Sequence, residues 1–249
     1  MSRDGELRQF VARLLGWARE RDVEQALASI DLARAHCAHL VLCGAGDLVS
    51  IAYALHRRTL GNDKPFILCD RRRGDTPASV RAPGNHRSGT AAIAAASGGT
   101  LCVRSSRPPR DFGVVADAIR GAGEVQYVVC AGDDYDLHPL LVVPAPIRLP
   151  PLRGRAGDLP RIVDEYASDA IAELGAREPC FTNADRAWVL AHATKSLSEI
   201  EKTTRRLVAL RTSANMSNAA ARLGMAPVSL SRWMGRRKLP GAKPYRAGR

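Results

Sequence analysis

Between Lys202 and Arg249 the sequence contains no aspartate and no glutamate, although it places twelve lysines and arginines there. The first 201 residues hold 25 basic and 25 acidic residues, so the formal charge of +12 belongs to the last fifth of the chain. An excess confined to one short stretch implies a polyanionic partner, with double-stranded DNA the first candidate. Other absences narrow the class further. No apolar run approaches the roughly 18 residues a membrane-spanning helix requires, so no membrane partner is expected. The opening MSRDGELRQFVARLLGWARE has neither an apolar h-region nor a small-residue cleavage site, which predicts a cytoplasmic protein without a secretory leader. Aromatics make up 5% of the chain, and the basic residues carry no interleaved aromatic platform of the kind RNA readers use. The six cysteines (Cys37, Cys43, Cys69, Cys102, Cys130 and Cys180) form no CxxC. Four lie in or after apolar strand-like runs, which favours buried free thiols over metal ligands or disulfides.

What is present reads as an α/β domain followed by helices. A hydrophobic content of 45% in 249 residues suits one ordinary core plus a small module. Apolar periodicity predicts helices over residues 5–20 and 22–36, the second capped by Asp22. Short apolar runs then alternate with helices. Strands are expected at LVLCG (40–44), PFILCD (65–70), 100–103, VQYVVCAG (125–132) and PIRLP (146–150), with helices over 48–58 and 112–121. That alternation predicts a parallel sheet with helices on both faces. The polar, Gly/Pro-rich stretch 71–97 reads as a long loop. Helices follow at 158–175, 185–194 and 197–211; the stripe of Leu197, Ile200, Leu207 and Leu210 suits either domain packing or a dimer contact.

The run SNAAARLGMAPVSLSRWMGRRK, residues 217–238, has the marks of a helix-turn-helix. Small residues stand where two helices touch, Gly224 stands at the turn, and Pro227 fits the first position of the next helix. Leu230, Trp233 and Met234 share an inner face at i, i+3, i+4. Val228, Ser229, Ser231, Arg232 and Arg236 are left mostly outward, as a recognition helix presents residues to the major groove; Arg237 and Lys238 can meet phosphates, and Asn218 is counted with them as a DNA-binding residue. The alternative is a solvated basic helix with a packing role.

A second candidate is the turn Gly44-Ala45-Gly46-Asp47 between a strand and a helix, a place where many α/β folds bind phosphates. It lacks the GxxxxGK[ST] lysine and hydroxyl, no lysine precedes Lys64, and Asp47 would repel a phosphate. A dinucleotide reading lacks its third glycine, although Asp70 lies at about the right distance to hold a ribose.

Several segments together resemble the sigma-54-dependent transcriptional activators of bacteria, which join an AAA+ ATPase to a Fis-type helix-turn-helix. IRLPPLRGRAGDLPRIVDEY (147–166) is similar to that family's LPPLRER..DIP segment. KPFILC (64–69) is similar to its KPFV..NC strand, ALHRR (54–58) to a helix end in AIH, and ASGGTL (96–101) to A.GGTLFLDE. The resemblance runs from about residue 22 to residue 240. It implies an N-terminal helix (1–21), an AAA+-like α/β domain (22–152), a helical lid remnant (153–195), a Fis-type helix-turn-helix (196–240) and a basic tail (241–249). The chain also departs from the family. The Walker A loop is short and has no lysine. Arg104 and Ser105 stand where Walker B ends in Asp-Glu. About thirty residues separate Cys69 from GGTL, too few for the GAFTGA loop. The arginine-finger stretch between Ala131 and Pro150 is shortened, and the sensor arginine is lost near 196–199. A cation in place of a metal-binding carboxylate opposes magnesium. The resemblance therefore implies a nucleoid-associated, DNA-binding regulator with no catalytic residues, metal or cofactor, acting as a homodimer or in mixed assemblies with intact activators. The alternatives are a nucleotide-binding pseudo-ATPase and a divergent AAA+ ATPase of the same family.

Overall fold

The computed structural model describes residues 3–36, 38–79, 83–121, 123–132, 145–177, 179–237 and 239. Cys37, Lys238 and the tail 241–249 lie outside the described residues, as does most of the arginine-finger stretch. Residues 1–151 and 152–249 form two compact units.

The first unit opens with two helices, α1 (Arg3–Leu15) and α2 (Glu20–His36), and continues as alternating strands and helices. These are β1 (Leu40–Cys43), α3 (Leu48–Thr59), β2 (Phe66–Cys69), β3 (Gly84–His86), α4 (Gly89–Ala95), β4 (Thr100–Arg104), α5 (Phe112–Arg120), β5 (Gln126–Ala131) and β6 (Ile147–Arg148). The strands pair in parallel in the order β3-β2-β4-β5-β1-β6. Apart from the β3 and β6 edges, strand residues are buried almost throughout, as a sheet covered on both faces requires. On one face Ile67, Cys69, Leu101, Val103 and Tyr127 pack against Ala92 and Ala96 at α4 and Val115 of α5. On the other, His56 of α3 reaches Thr100 of β4 at 2.8 Å and the Lys64 carbonyl at 3.1 Å. Burial lowers the His56 pKa. Cys43, Cys69, Cys102, Cys130 and Cys180 are buried free thiols.

Two expectations need correction. The second helix begins at Glu20, so Asp22 lies in its first turn rather than at its cap. The stretch 71–97 is not a single loop: it holds β3 and α4. Both elements owe their order to distant partners. The Asn85 side chain accepts from the Asp70 amide at 3.1 Å and donates to the carbonyls of Asp70 and Gly74, tying β3 to the end of β2. The first turn of α4 is capped from downstream by Asp111. Its carboxylate accepts from the Gly89 amide at 2.8 Å, the Thr90 amide at 3.1 Å and the Ser88 hydroxyl at 2.8 Å. Those bonds, the one from Gly89 foremost, hold the Asp111 carboxyl well below the usual carboxylate range.

The second unit is helical: α6 (Leu159–Glu173), α7 (Asn183–His192), α8 (Leu197–Arg211), α9 (Met216–Arg222) and α10 (Pro227–Gly235). Its centre is the contact of α6 with α8, where Ala170 packs with Val208 and Cys180, and Ile162, Val163, Ile200 and Leu207 are buried on the two helices. The α8 stripe of Leu197, Ile200 and Leu207 is thus covered within this unit, with Leu210 partly so. Asp185, fully buried, locks α7 to α8. It accepts from Thr182 Oγ1 and the Thr182 amide in a capping box, and takes both Nε and Nη2 of Arg211 at 3.2 and 2.7 Å.

Candidate nucleic-acid interface and the strand-end ion cluster

Helix α9 starts at Asn215, whose side chain accepts from the Asn218 amide at 2.8 Å. It ends in a Schellman turn: the Met225 amide bonds the Ala220 carbonyl, the Gly224 amide bonds that of Ala221, and Gly224 takes φ 64°. Only glycine adopts that conformation at little cost, so the turn sets where α10 can begin. Ala219, Ala220, Leu230 and Trp233 are buried between the two helices and their neighbours. The small side chains of α9 permit the close approach.

Of the residues assigned to DNA, Asn218, Val228, Ser229, Ser231, Arg232 and Arg236 are exposed. Val228 is 55% exposed. Arg237 is placed differently from a free phosphate contact. Its guanidinium lies 5.1 Å from the centroid of the Trp233 ring, as does that of Arg206. Burial and the nearby Arg237 lower the Arg206 pKa. Arg222 is also committed inside the unit, donating to the Thr212 hydroxyl at 2.6 Å and to the carbonyl of Leu174. The count of basic residues therefore overstates the cations offered to a ligand, and only contacts across helices reveal which are spent.

In the first unit, the loops that follow β1, β2 and β4 meet at the carboxyl ends of the strands, where open α/β sheets bind ligands. Gly44 and Gly46 bend the chain into α3, with φ 90° at Gly46. A Cβ on Gly44 would come within 3.0 Å of that of Leu149, so the segment after β6 closes over the turn. Asp47 caps α3, accepting from the Val49 amide at 3.3 Å, while its backbone carbonyl accepts from Ser50 Oγ at 3.0 Å. The same carboxylate accepts from Arg104 Nη2 at 3.0 Å. Arg104 Nε lies 4.0 Å from Oδ2 of Asp70, which is fully buried and also approached at 3.8 Å by Arg73 and Arg107. The Arg72 amide bonds Oδ1 of Asp70 at 3.0 Å. The turn weighed above as a phosphate site, which lacks the lysine such a site needs, is occupied on its carboxylate side by an internal cation. Sequence reasoning had weighed Asp70 as a ribose ligand only within a dinucleotide reading that lacked its third glycine, and had missed Arg73 and Arg107. Their signal was there: an Arg-rich turn directly after one strand and two arginines at the end of its neighbour. Beside this cluster the thiols of Cys102 and Cys130 touch at 3.6 Å; hydrogen bonding between them and burial push Cys130 well above its usual range.

No protein-family model matches the chain. No curated protein matches it either. Among solved structures, the chain is similar to NtrX from Brucella abortus in complex with ADP, with a TM-score of 0.48 and 13% identity over 93% of this chain and 71% of that one. For NtrX in complex with ATP the TM-score is 0.47 at 16% identity, covering 86% of this chain and 67% of that one. A further NtrX structure gives 0.43 at 13% identity with the same coverage. Among the described residues no helix is long and apolar enough to cross a membrane, and no cluster of three or more His, Cys, Asp or Glu could hold a metal.

Proposed function

We propose that the protein is a DNA-binding transcriptional regulator whose α/β unit is a non-hydrolysing scaffold related to the AAA+ domain of sigma-54-dependent activators. The observation that carries the DNA reading is the outward face of α10. Val228, Ser229, Ser231 and Arg232 lie exposed on one short helix with exposed Arg236 at its C-cap, in a stretch of 48 residues free of acids. A helix of this length, led by Pro227 and set by the Gly224 turn, suits the major groove, with Ser and Arg side chains available to base edges and phosphates. The scaffold reading is supported by Arg104. Its guanidinium is tethered by Asp47 and close to Asp70; by the sequence resemblance, Arg104 takes the position of a carboxylate that binds magnesium in the family, and like charge opposes the metal. The α8 stripe is already covered within its own unit, so a homodimer or a mixed assembly with intact activators would use other surfaces.

The test is binding of the full chain to a mixed-sequence duplex, followed by anisotropy over a range of salt concentrations. Each phosphate neutralised contributes a log–log slope of about −0.9. Replacing Lys238 with Ala should weaken all duplexes alike and make the slope shallower by about one unit. A flat salt dependence, or no binding at low salt, refutes the DNA reading.

A further inference from the structure

Along α10, the residues opposite buried Leu230 are Val228, Arg232 and Gly235, at i, i+4 and i+7. The first two are exposed side chains, and the third offers none, with no atom within 4 Å of where a Cβ would be. Val228 is the most exposed large apolar side chain among the described residues, at 55%. An isolated exposed valine is ordinary on a protein surface. This one has a less ordinary position. It stands on the central line of the outward face, in the first turn, between Pro227 and Ser229. A β-branched residue there gains nothing in helix propensity over alanine. A recognition helix presents its N-terminal residues deepest in the major groove. The apolar feature a base pair displays there is the C5 methyl of thymine. One turn further on, Arg232 has the fork geometry that matches O6 and N7 of guanine.

We propose that Val228 determines sequence specificity by packing against a thymine methyl, with Arg232 reading a guanine from the same face. The assignment rests on the DNA-binding reading above. Four residues of helix advance about 6 Å. At about 3.4 Å per base along a strand, the thymine and the guanine should lie about two base pairs apart. Gly235 leaves the following turn bare, so no third side chain on this line adds a base contact.

The test is selection of binding sites from a random duplex library by the full chain, followed by titration of the selected duplex. In that duplex, thymines are replaced one at a time by uracil, which lacks only the C5 methyl. One position should show a loss of about fourfold for the native chain, the equivalent of about 0.8 kcal/mol for one buried methyl-sized group. Val228→Ala should bind the thymine duplex less tightly and show no difference between thymine and uracil at that position. Arg232→Ala should keep the thymine preference and lose the guanine. Val228 is exposed, so its replacement leaves the fold intact, and an unchanged melting temperature checks this. Uracil tolerated at every position, or a uracil penalty that persists in Val228→Ala, overturns the proposal while leaving DNA binding in place. Absence of any selected duplex overturns the DNA reading itself, and this one with it.

Discussion

Arg104→Met tests whether the strand-end cluster has replaced a ligand. The substitution keeps the aliphatic stem and removes the charge. At 3.0 Å from Asp47, and with an effective dielectric constant of about 20, the Coulomb attraction is about 5.5 kcal/mol. Desolvation offsets much of this, and deletion of one partner from a buried pair typically costs about 3–5 kcal/mol. Asp70 keeps Arg73 and Arg107 at 3.8 Å, so the loss should fall at or below the lower limit, about 2–3 kcal/mol. For a unit of this size that lowers Tm by about 4–12 °C. Calorimetry reads the shift, and a double-mutant cycle with Asp47→Asn should show coupling of about 1–2 kcal/mol. Magnesium-ATP supplies the second arm. A ligand at a hundredfold excess over its Kd would stabilise the fold by about 2.7 kcal/mol. The native chain should show no such rise. An unchanged Tm in Arg104→Met refutes the electrostatic argument. A rise of several degrees with magnesium-ATP in the native chain refutes the scaffold reading in favour of a pseudo-ATPase.

Two further outcomes follow from groups buried in each unit. Arg211→Ala should destabilise the helical unit by about 3–5 kcal/mol, because it strands the fully buried Asp185 carboxylate. Arg211→Lys should recover little of this, since a point charge cannot supply two parallel donors; denaturant midpoints measure both. His56 supplies a pH dependence. Its folded pKa is lowered by burial, so the neutral form is favoured in the fold. That stability is fully present above the unfolded value of about 6.5 and is lost as pH falls through the folded pKa. Stability of the native chain should therefore decline from pH 7.5 towards pH 5.5, and the slope should be shallower in His56→Gln. An equal slope in both chains would assign the dependence to other groups.

The parts of the fold legible in the sequence were those encoded locally. The strand runs around Leu42, Leu68, Cys102 and Val128 are short, continuous and apolar, and α8 was bounded at Leu197 and Arg211 as it stands in the structure. What escaped was order supplied from a distance. β3 depends on the Asn85 amide bonding to the end of another strand, and α4 on a cap 22 residues downstream of Gly89. The same limit holds at the candidate sites. The exposed face of α10 follows from helical spacing, and Arg232 could be placed on it. That Arg222 is spent on Leu174 and Thr212, and Arg237 on an indole ring, depends on helices that are distant in sequence. The α8 stripe taught a related lesson. Its width left domain packing and a dimer contact equally open, and the contact with α6 accounts for it within one chain.

The contact at Trp233 has a mechanical side. Two guanidiniums share one indole, each attracted by the ring and repelled by the other. Arg237 is half-buried at the open end of α10, whereas Arg206 belongs to the packed helix α8. If DNA is bound as proposed, a phosphate near Arg237 would offset the charge that Arg206 feels without Arg237 leaving the indole. Part of the binding energy would then be relief of a repulsion held within the protein, visible as increased rigidity of the helix pair with no additional contact made to the ligand.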